Sequence, residues 1–106
     1  MSKKTAATMG EILQRAVETG TGKLARIPGF AVGGKTGTAN KVKPGVGYEP
    51  GKYISSFVGF TPVEKPGITI LVSIDEPQGV YYGGVVAGPV FTSVGEYALQ
   101  RLKITP

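Results

Sequence analysis

Cysteine, histidine and tryptophan are all absent from this 106-residue chain, and seven acidic residues stand against twelve lysines and arginines. Without cysteine there is no disulfide framework and no thiolate, and the redox compartment is left open. Without histidine a transition-metal site is disfavoured, and a Ser-His catalytic pair is excluded within the chain. No apolar run approaches the length that crosses a bilayer, and no signal peptide is visible; Met1-Ser2-Lys3-Lys4 reads as a natural start or an engineered end, not as a targeting segment. The net charge of +5 is scattered, with no basic block interleaved with aromatics, so nucleic acid is not an expected partner.

What the chain does contain is glycine. Seventeen glycines in a chain that is 41% hydrophobic and 18% charged point to a small globular unit rich in turns and close backbone contacts. The densest chemistry lies in Val32-Gly33-Gly34-Lys35-Thr36-Gly37-Thr38-Ala39-Asn40, which holds one cation, two hydroxyls and three glycines and no carboxylate. Such a segment can meet an anion or a carbonyl group: lysine is a point charge, threonine donates, and glycine lets a ligand approach the main chain.

The flanking sequence reads as a scaffold. Thr8-Met9-Gly10-Glu11 has the form of a capping box, and Met9, Ile12, Leu13, Ala16 and Val17 follow the spacing of a buried helical stripe ended by a left-handed Gly20. Gly20-Thr21-Gly22-Lys23-Leu24-Ala25 matches a dinucleotide fingerprint, but a helix precedes it and Pro28-Gly29 follows, so it reads as a loop. Strands are expected over Phe30 to about Val42, Tyr53 to Phe60 and Ile68 to Ile74, with loops at Lys43–Gly51 and Thr61–Gly67. The near-continuous apolar third strand reads as buried on both faces. Tyr81-Tyr82-Gly83-Gly84 reads as a compact loop. A last helix opens at Pro89, with Val90, Phe91, Val94, Tyr97, Ala98, Arg101 and Leu102 as its stripe. The expected fold is α+β: a three-stranded antiparallel meander with N- and C-terminal helices packed on one face.

Three readings of the central stretch compete. Gly29-Phe30-Ala31-Val32-Gly33-Gly34-Lys35-Thr36 satisfies the phosphate-loop pattern, and Asp75-Glu76 after an apolar strand imitates its magnesium-holding acid. A phosphate loop needs a helix opening at the lysine, and Gly37 to Pro44 carries no helical stripe. The plain alternative is a glycine-rich strand end with solvated side chains, against which each glycine asks for a reason. The third is an active-site edge strand.

Lys35-Thr36-Gly37 resembles the Lys-Thr-Gly motif of the penicillin-binding proteins and serine β-lactamases. The likeness extends through Gly20-Thr21-Gly22, Gly34 to Ala39, Tyr53 to Pro62, Ile74-Asp75-Glu76-Pro77 and Tyr81 to Phe91. Together these resemble the C-terminal part of the class B penicillin-binding proteins, the division-specific penicillin-binding protein 3 type above all. The resemblance implies that residues 1–106 are a C-terminal piece of a larger transpeptidase domain, the serine β-lactamase-like fold that cross-links peptidoglycan and binds β-lactams, at the outer face of a bacterial inner membrane. It implies that Lys35 orients substrate and tunes proton transfer, and that Thr36 and Thr38 bond the carboxylate of a D-alanyl-D-alanine stem peptide. Gly37 leaves room, and the Thr38 N–H serves as an oxyanion donor. It implies no cofactor and no metal.

The family's other two motifs, Ser-x-x-Lys for the nucleophile and its base and Ser-x-Asn, do not occur. Ser2, Ser55, Ser56, Ser73 and Ser93 have no lysine three residues on, and the single asparagine, Asn40, is not preceded by Ser-x. The chain is therefore expected to be inactive alone. Its third strand is expected to leave an open edge, toward the remainder of the domain or a second copy. A non-catalytic partner-binding module remains the other class of reading.

Overall fold

The computed structural model describes all residues from Met1 to Pro106. In order, the elements are α1 (Lys3–Glu18), a 3₁₀ turn (Lys23–Ala25), β1 (Gly33–Lys43), β2 (Gly47–Thr61), β3 (Ile68–Asp75), a short α2 (Gly83–Val86) and α3 (Gly88–Arg101). The strands form one antiparallel sheet in the order β1-β2-β3. The meander and its two bounding helices are as expected from the sequence.

Local boundaries differ in instructive ways. Helix α1 opens at Ser2, whose hydroxyl oxygen accepts the Thr5 N–H at 3.1 Å, not at Thr8. Thr8 lies inside the helix and returns its hydroxyl to the Lys4 carbonyl, because the good helix formers before it carry the helix back another turn. The helix ends at Thr19 rather than in a left-handed glycine. Gly20 is small for another reason: a Cβ there would sit 2.8 Å from the Ala16 carbonyl oxygen.

The expected Lys43–Gly51 loop is mostly strand. The β1–β2 ladder shifts register after Asn40↔Tyr53, resumes at Val42↔Tyr48 and runs to Lys43↔Gly47. The Asn40 side-chain amide closes the irregularity by donating to the carbonyls of Glu49 and Lys52, both at 2.8 Å. Proline and glycine here mark a bulge and a tight turn, which local punctuation cannot distinguish from a loop.

Alternation along the strands sorts the two sheet faces. Ser55, Phe57, Gly59 and Thr61 of β2 are buried on one face, and their β3 partners Ile74, Val72, Ile70 and Ile68 are half-buried beside them. Phe57 packs edge-on against Phe91 of α3, ring centroids 4.9 Å apart. Val17 of α1, Ala25, Ile27, Val32, Ala87 and Leu99 complete this core. Both long helices therefore send side chains into one cluster over one face. Burying Phe57 and Phe91 contributes about 2–3 kcal/mol each.

Strand β3 is not buried on both faces. Its residues alternate between half-buried and exposed, and Leu71 is 68% exposed. The apolar run looked doubly covered because every second residue faces a side on which these 106 residues supply no covering element. The stripe of α3 is also turned from its expected phase. Gly88, Phe91, Gly95 and Leu99 face inward, whereas Val90, Val94 and Tyr97 are exposed. Two of these are glycines, which carry no apolar side chain, yet Gly95 is the contact point: a Cβ there would lie 2.7 Å from Ile27 Cδ1. Only Phe91 belongs fully to both versions of the face.

Candidate functional site

Strand β1 is the outer strand of the sheet, and its other edge has no strand partner. The register shows which groups face that edge. The Tyr53 carbonyl accepts from the Glu76 N–H at 2.8 Å, so Tyr53 turns its backbone toward β3. In an antiparallel ladder the direction alternates, so Ile54, Ser56 and Val58 turn theirs toward β1. Their partners Ala39, Gly37 and Lys35 are held in the ladder. Thr36 and Thr38 therefore turn both N–H and C=O to the open edge. The Thr36 carbonyl accepts the Lys35 ammonium at 3.1 Å, as a carbonyl on that edge can.

The side chains of Thr36 and Thr38 lie on the same sheet face as Ser55 and Phe57, whereas Lys35 and Gly37 start on the other. Lysine overcomes the alternation by its length. Its Nζ curls back around the edge to Thr36, 3.5 Å from Oγ1. All four sequence-chosen residues thus meet on one stretch of edge: Lys35 and Thr38 exposed, Thr36 and Gly37 half-buried.

Facing the threonines is a wall built from the turn after α1 and the start of α2. Thr21 brings its Oγ1 to 3.1 Å from Thr36 Oγ1. The Gly83 N–H donates to Thr38 Oγ1 at 3.1 Å. Thr21, Thr36, Thr38, Tyr82, Gly83, Gly84 and Val85 line a cavity of about 270 Å³. Gly83-Gly84, expected as part of a compact loop, instead opens the short helix α2, pressed onto the sheet. A Cβ on Gly83 would meet the Ser56 carbonyl oxygen at 2.3 Å, and one on Gly84 the Thr21 carbonyl oxygen at 2.0 Å. The adjacent glycines were the available signal, since a pair with no room for Cβ marks a close backbone approach.

Beside the cavity, Tyr81 stacks on Tyr53 at 4.0 Å and 6°, and Tyr82 leans on Tyr81 at 4.7 Å. The Tyr81 side chain raises the Tyr82 phenol above its ordinary pKa by hydrogen bonding. The Ser55 hydroxyl donates to the Tyr81 carbonyl, fixing the start of this wall to β2.

Farther along, Lys41 of β1 reaches Asp75 at 2.6 Å and Glu76 at 2.7 Å, and Lys52 of β2 reaches Glu76 at 3.1 Å. The Asp75 and Glu76 bonds push Lys41 up to about 12, and Lys41, then Lys52, hold Glu76 below its usual range. This ion group ties all three strands at the point where β3 ends. It also removes the phosphate-loop reading. Lys35-Thr36 lies inside a strand that runs on to Lys43 with no helix opening after it, and Asp75-Glu76 is engaged by lysines.

A sheet edge carrying a cation and outward-facing donors, walled by a second backbone segment, is an arrangement that can receive an extended segment as an added strand. The chain belongs to the penicillin-binding protein transpeptidase domain family, whose pattern matches residues 1–96. It is 43% identical over 104 residues, 96% of its length, to the probable peptidoglycan D,D-transpeptidase PenA of Neisseria flavescens, of which it covers 26%. It is 38% identical over 107 residues to stage V sporulation protein D of Bacillus subtilis, covering 100% of this chain and 16% of that one. Among solved structures, the apo transpeptidase domain of Burkholderia pseudomallei penicillin-binding protein 3 superposes with a TM-score of 0.88 at 42% identity, over 100% of this chain and 32% of that one. Penicillin-binding protein 3 of Mycobacterium, in complex with ampicillin, gives 0.86 at 31% identity, over 99% and 25%. The chain thus spans about a quarter or less of the curated relatives described here.

Proposed function

We propose that this chain supplies the substrate-carboxylate wall of a peptidoglycan D,D-transpeptidase acting at the outer face of a bacterial inner membrane, and that the same wall receives β-lactams. One observation carries the reading: Lys35, Thr36 and Thr38 converge on an unpaired strand edge in a chain of the transpeptidase family.

The geometry supports a division of labour. Lys35 places positive charge at the edge, favouring an anionic end group. Thr36 and Thr38 present hydroxyls on one face of that edge, at the spacing of two strand residues. Gly37 between them adds no bulk where a ligand backbone would lie. The Thr38 N–H, turned outward, is oriented to stabilise charge developing on a carbonyl oxygen, a role worth about 3 kcal/mol per donor in the barrier. A stem peptide ending in D-alanyl-D-alanine, or a β-lactam imitating it, would lie along β1 as an added strand.

The attacking group is not supplied by these residues. The two serines nearest the site are committed, Ser55 to the Tyr81 carbonyl and Ser56 to the Gly37 carbonyl. Acyl transfer by this route needs a serine and its base from another segment of the domain. None of the helices is long and apolar enough to cross a membrane.

The test is to titrate the ¹⁵N-labelled chain with N-acetyl-D-alanyl-D-alanine. Shifts centred on the amides of Thr36 to Thr38 are expected, and they should be lost in a Lys35→Met, Thr38→Val double variant. Shifts spread evenly over the chain, or unaffected by the two substitutions, would overturn the proposal.

A further inference from the structure

We infer that Thr21, from the turn after α1, is a positioning residue that sets the Thr36 hydroxyl to donate outward. This rests on the carboxylate-wall reading above and extends it to a residue outside the Lys-Thr-Gly stretch.

The argument is one of proton direction. A hydroxyl has one proton to give and two lone pairs with which to accept. An ammonium only donates: Lys35 Nζ bonds the Thr36 carbonyl at 3.1 Å and, from 3.5 Å, turns its positive charge toward a lone pair of Thr36 Oγ1. Thr21 Oγ1, at 3.1 Å, is the second neighbour of the same oxygen. With Thr21 donating into the remaining lone pair, the proton of Thr36 is left for a ligand. Thr38 is set in the same sense by a different device, the Gly83 N–H donating into its Oγ1 at 3.1 Å. Both hydroxyls of the edge then face a ligand as donors, the arrangement an anion requires and a neutral amide does not.

Thr21 is held where this demands. On one side the Gly22 N–H is bonded to the Ala16 carbonyl at 3.0 Å, tying the turn to the end of α1. On the other, Gly84 lies flush on the Thr21 carbonyl, with no space for even a Cβ. The Thr21 hydroxyl bonds to Thr36 of β1, so its place in the turn serves the site.

The experiment compares two probes, N-acetyl-D-alanyl-D-alanine and its C-terminal carboxamide, titrated by ¹⁵N NMR into the whole chain and its Thr21→Val and Thr21→Ser variants. Wild type is expected to favour the carboxylate about tenfold, the scale of a hydrogen bond to a charged group. Thr21→Val should lower the preference about threefold, leaving the share that the Lys35 charge provides, and Thr21→Ser should restore it. A wild-type preference that survives Thr21→Val unchanged overturns the role of Thr21 and leaves the carboxylate wall standing. No preference in wild type overturns the wall itself, and this inference with it. A measurement without substitution guards against misfolding: in mixed H₂O/D₂O, the Thr21 hydroxyl should show a resolved isotope splitting at its Cβ. A freely exchanging Thr21 hydroxyl overturns the inference.

Discussion

The Gly83 amide and the Thr38 hydroxyl, 45 residues apart in sequence, are joined by a 3.1 Å hydrogen bond that closes the candidate site from above. Replacing Gly83 by alanine forces a Cβ to within 2.3 Å of the Ser56 carbonyl oxygen and 2.7 Å of the Gly37 carbonyl oxygen. Backbone cannot yield as a side-chain tip can. Gly83→Ala is expected to lift α2 from the sheet, with a loss of about 1–3 kcal/mol. Urea unfolding measures the loss, and the amide shift of residue 83 reports the broken bond. A variant with unchanged stability and shift would show that α2 is not seated as described.

Phe57 is the centre of the core, fully buried and close to Gly22, Gly34, Gly59 and Phe91. Phe57→Ala is expected to cost about 3–5 kcal/mol, a large share of a small domain's total of roughly 5–15 kcal/mol. Loss of near-ultraviolet dichroism and of a cooperative urea transition would register it. A milder Phe57→Leu variant should fold with an intermediate midpoint.

The chain is expected to form no covalent penicillin adduct, because none of its five serines has the required lysine three residues on. Incubation with a fluorescent penicillin followed by a boiled denaturing gel should show no labelled band. A band that survives boiling and disappears on substituting one serine would reveal a nucleophile within the chain.

Strand β3 has a free edge, and the same alternation that faces Thr36 outward on β1 faces the backbones of Thr69, Leu71 and Ser73 outward on β3. With Leu71 exposed beside them, concentration-dependent self-association is expected in sedimentation experiments. Leu71→Lys should weaken it about tenfold by placing charge on the edge. A wild-type chain that stays monomeric at high concentration would rule this out.

The ion group gives a pH signature. Glu76 is held below its ordinary range, so its contribution is present above the unfolded carboxylate value and lost as pH falls through the lower folded one. Lys41 is raised from 10.5 to about 12, so its contribution is full below 10.5 and lost as pH rises through about 12. Stability should therefore be flat at neutral pH and fall at both ends. Glu76→Gln should flatten both flanks, the acid one by removing the titrating group and the alkaline one by removing a partner of Lys41. Because these side chains are partly solvated, 1 M salt should shrink the effect.

The order of elements and the Lys35–Thr38 stretch were legible in the sequence because each rests on local signals: a helical stripe, β-branched runs, a motif. What escaped was set by distant contacts. The inward face of α3 was misread because Gly88 and Gly95, having no side chain, carry no hydropathic signal, although they are where Leu24 and Ile27 come closest. The two-sided burial expected of β3 failed because an apolar strand cannot announce whether its second cover is present. Thr21 and Gly83 were not among the candidate residues because they reach Thr36 and Thr38 only when the turn after α1 and the start of α2 meet over β1.

The β1–β2 ribbon continues past the end of β3, so its outer half is a cantilever, and the strand that holds Lys35 to Thr38 is also its lower beam. Lys41, Lys52, Asp75 and Glu76 clamp that beam at the last point where three strands lie side by side. The three-strand clamp thus stands between the two-stranded tip and the stretch that carries Thr36 and Thr38, so the site's strand is anchored on the side from which the ribbon projects.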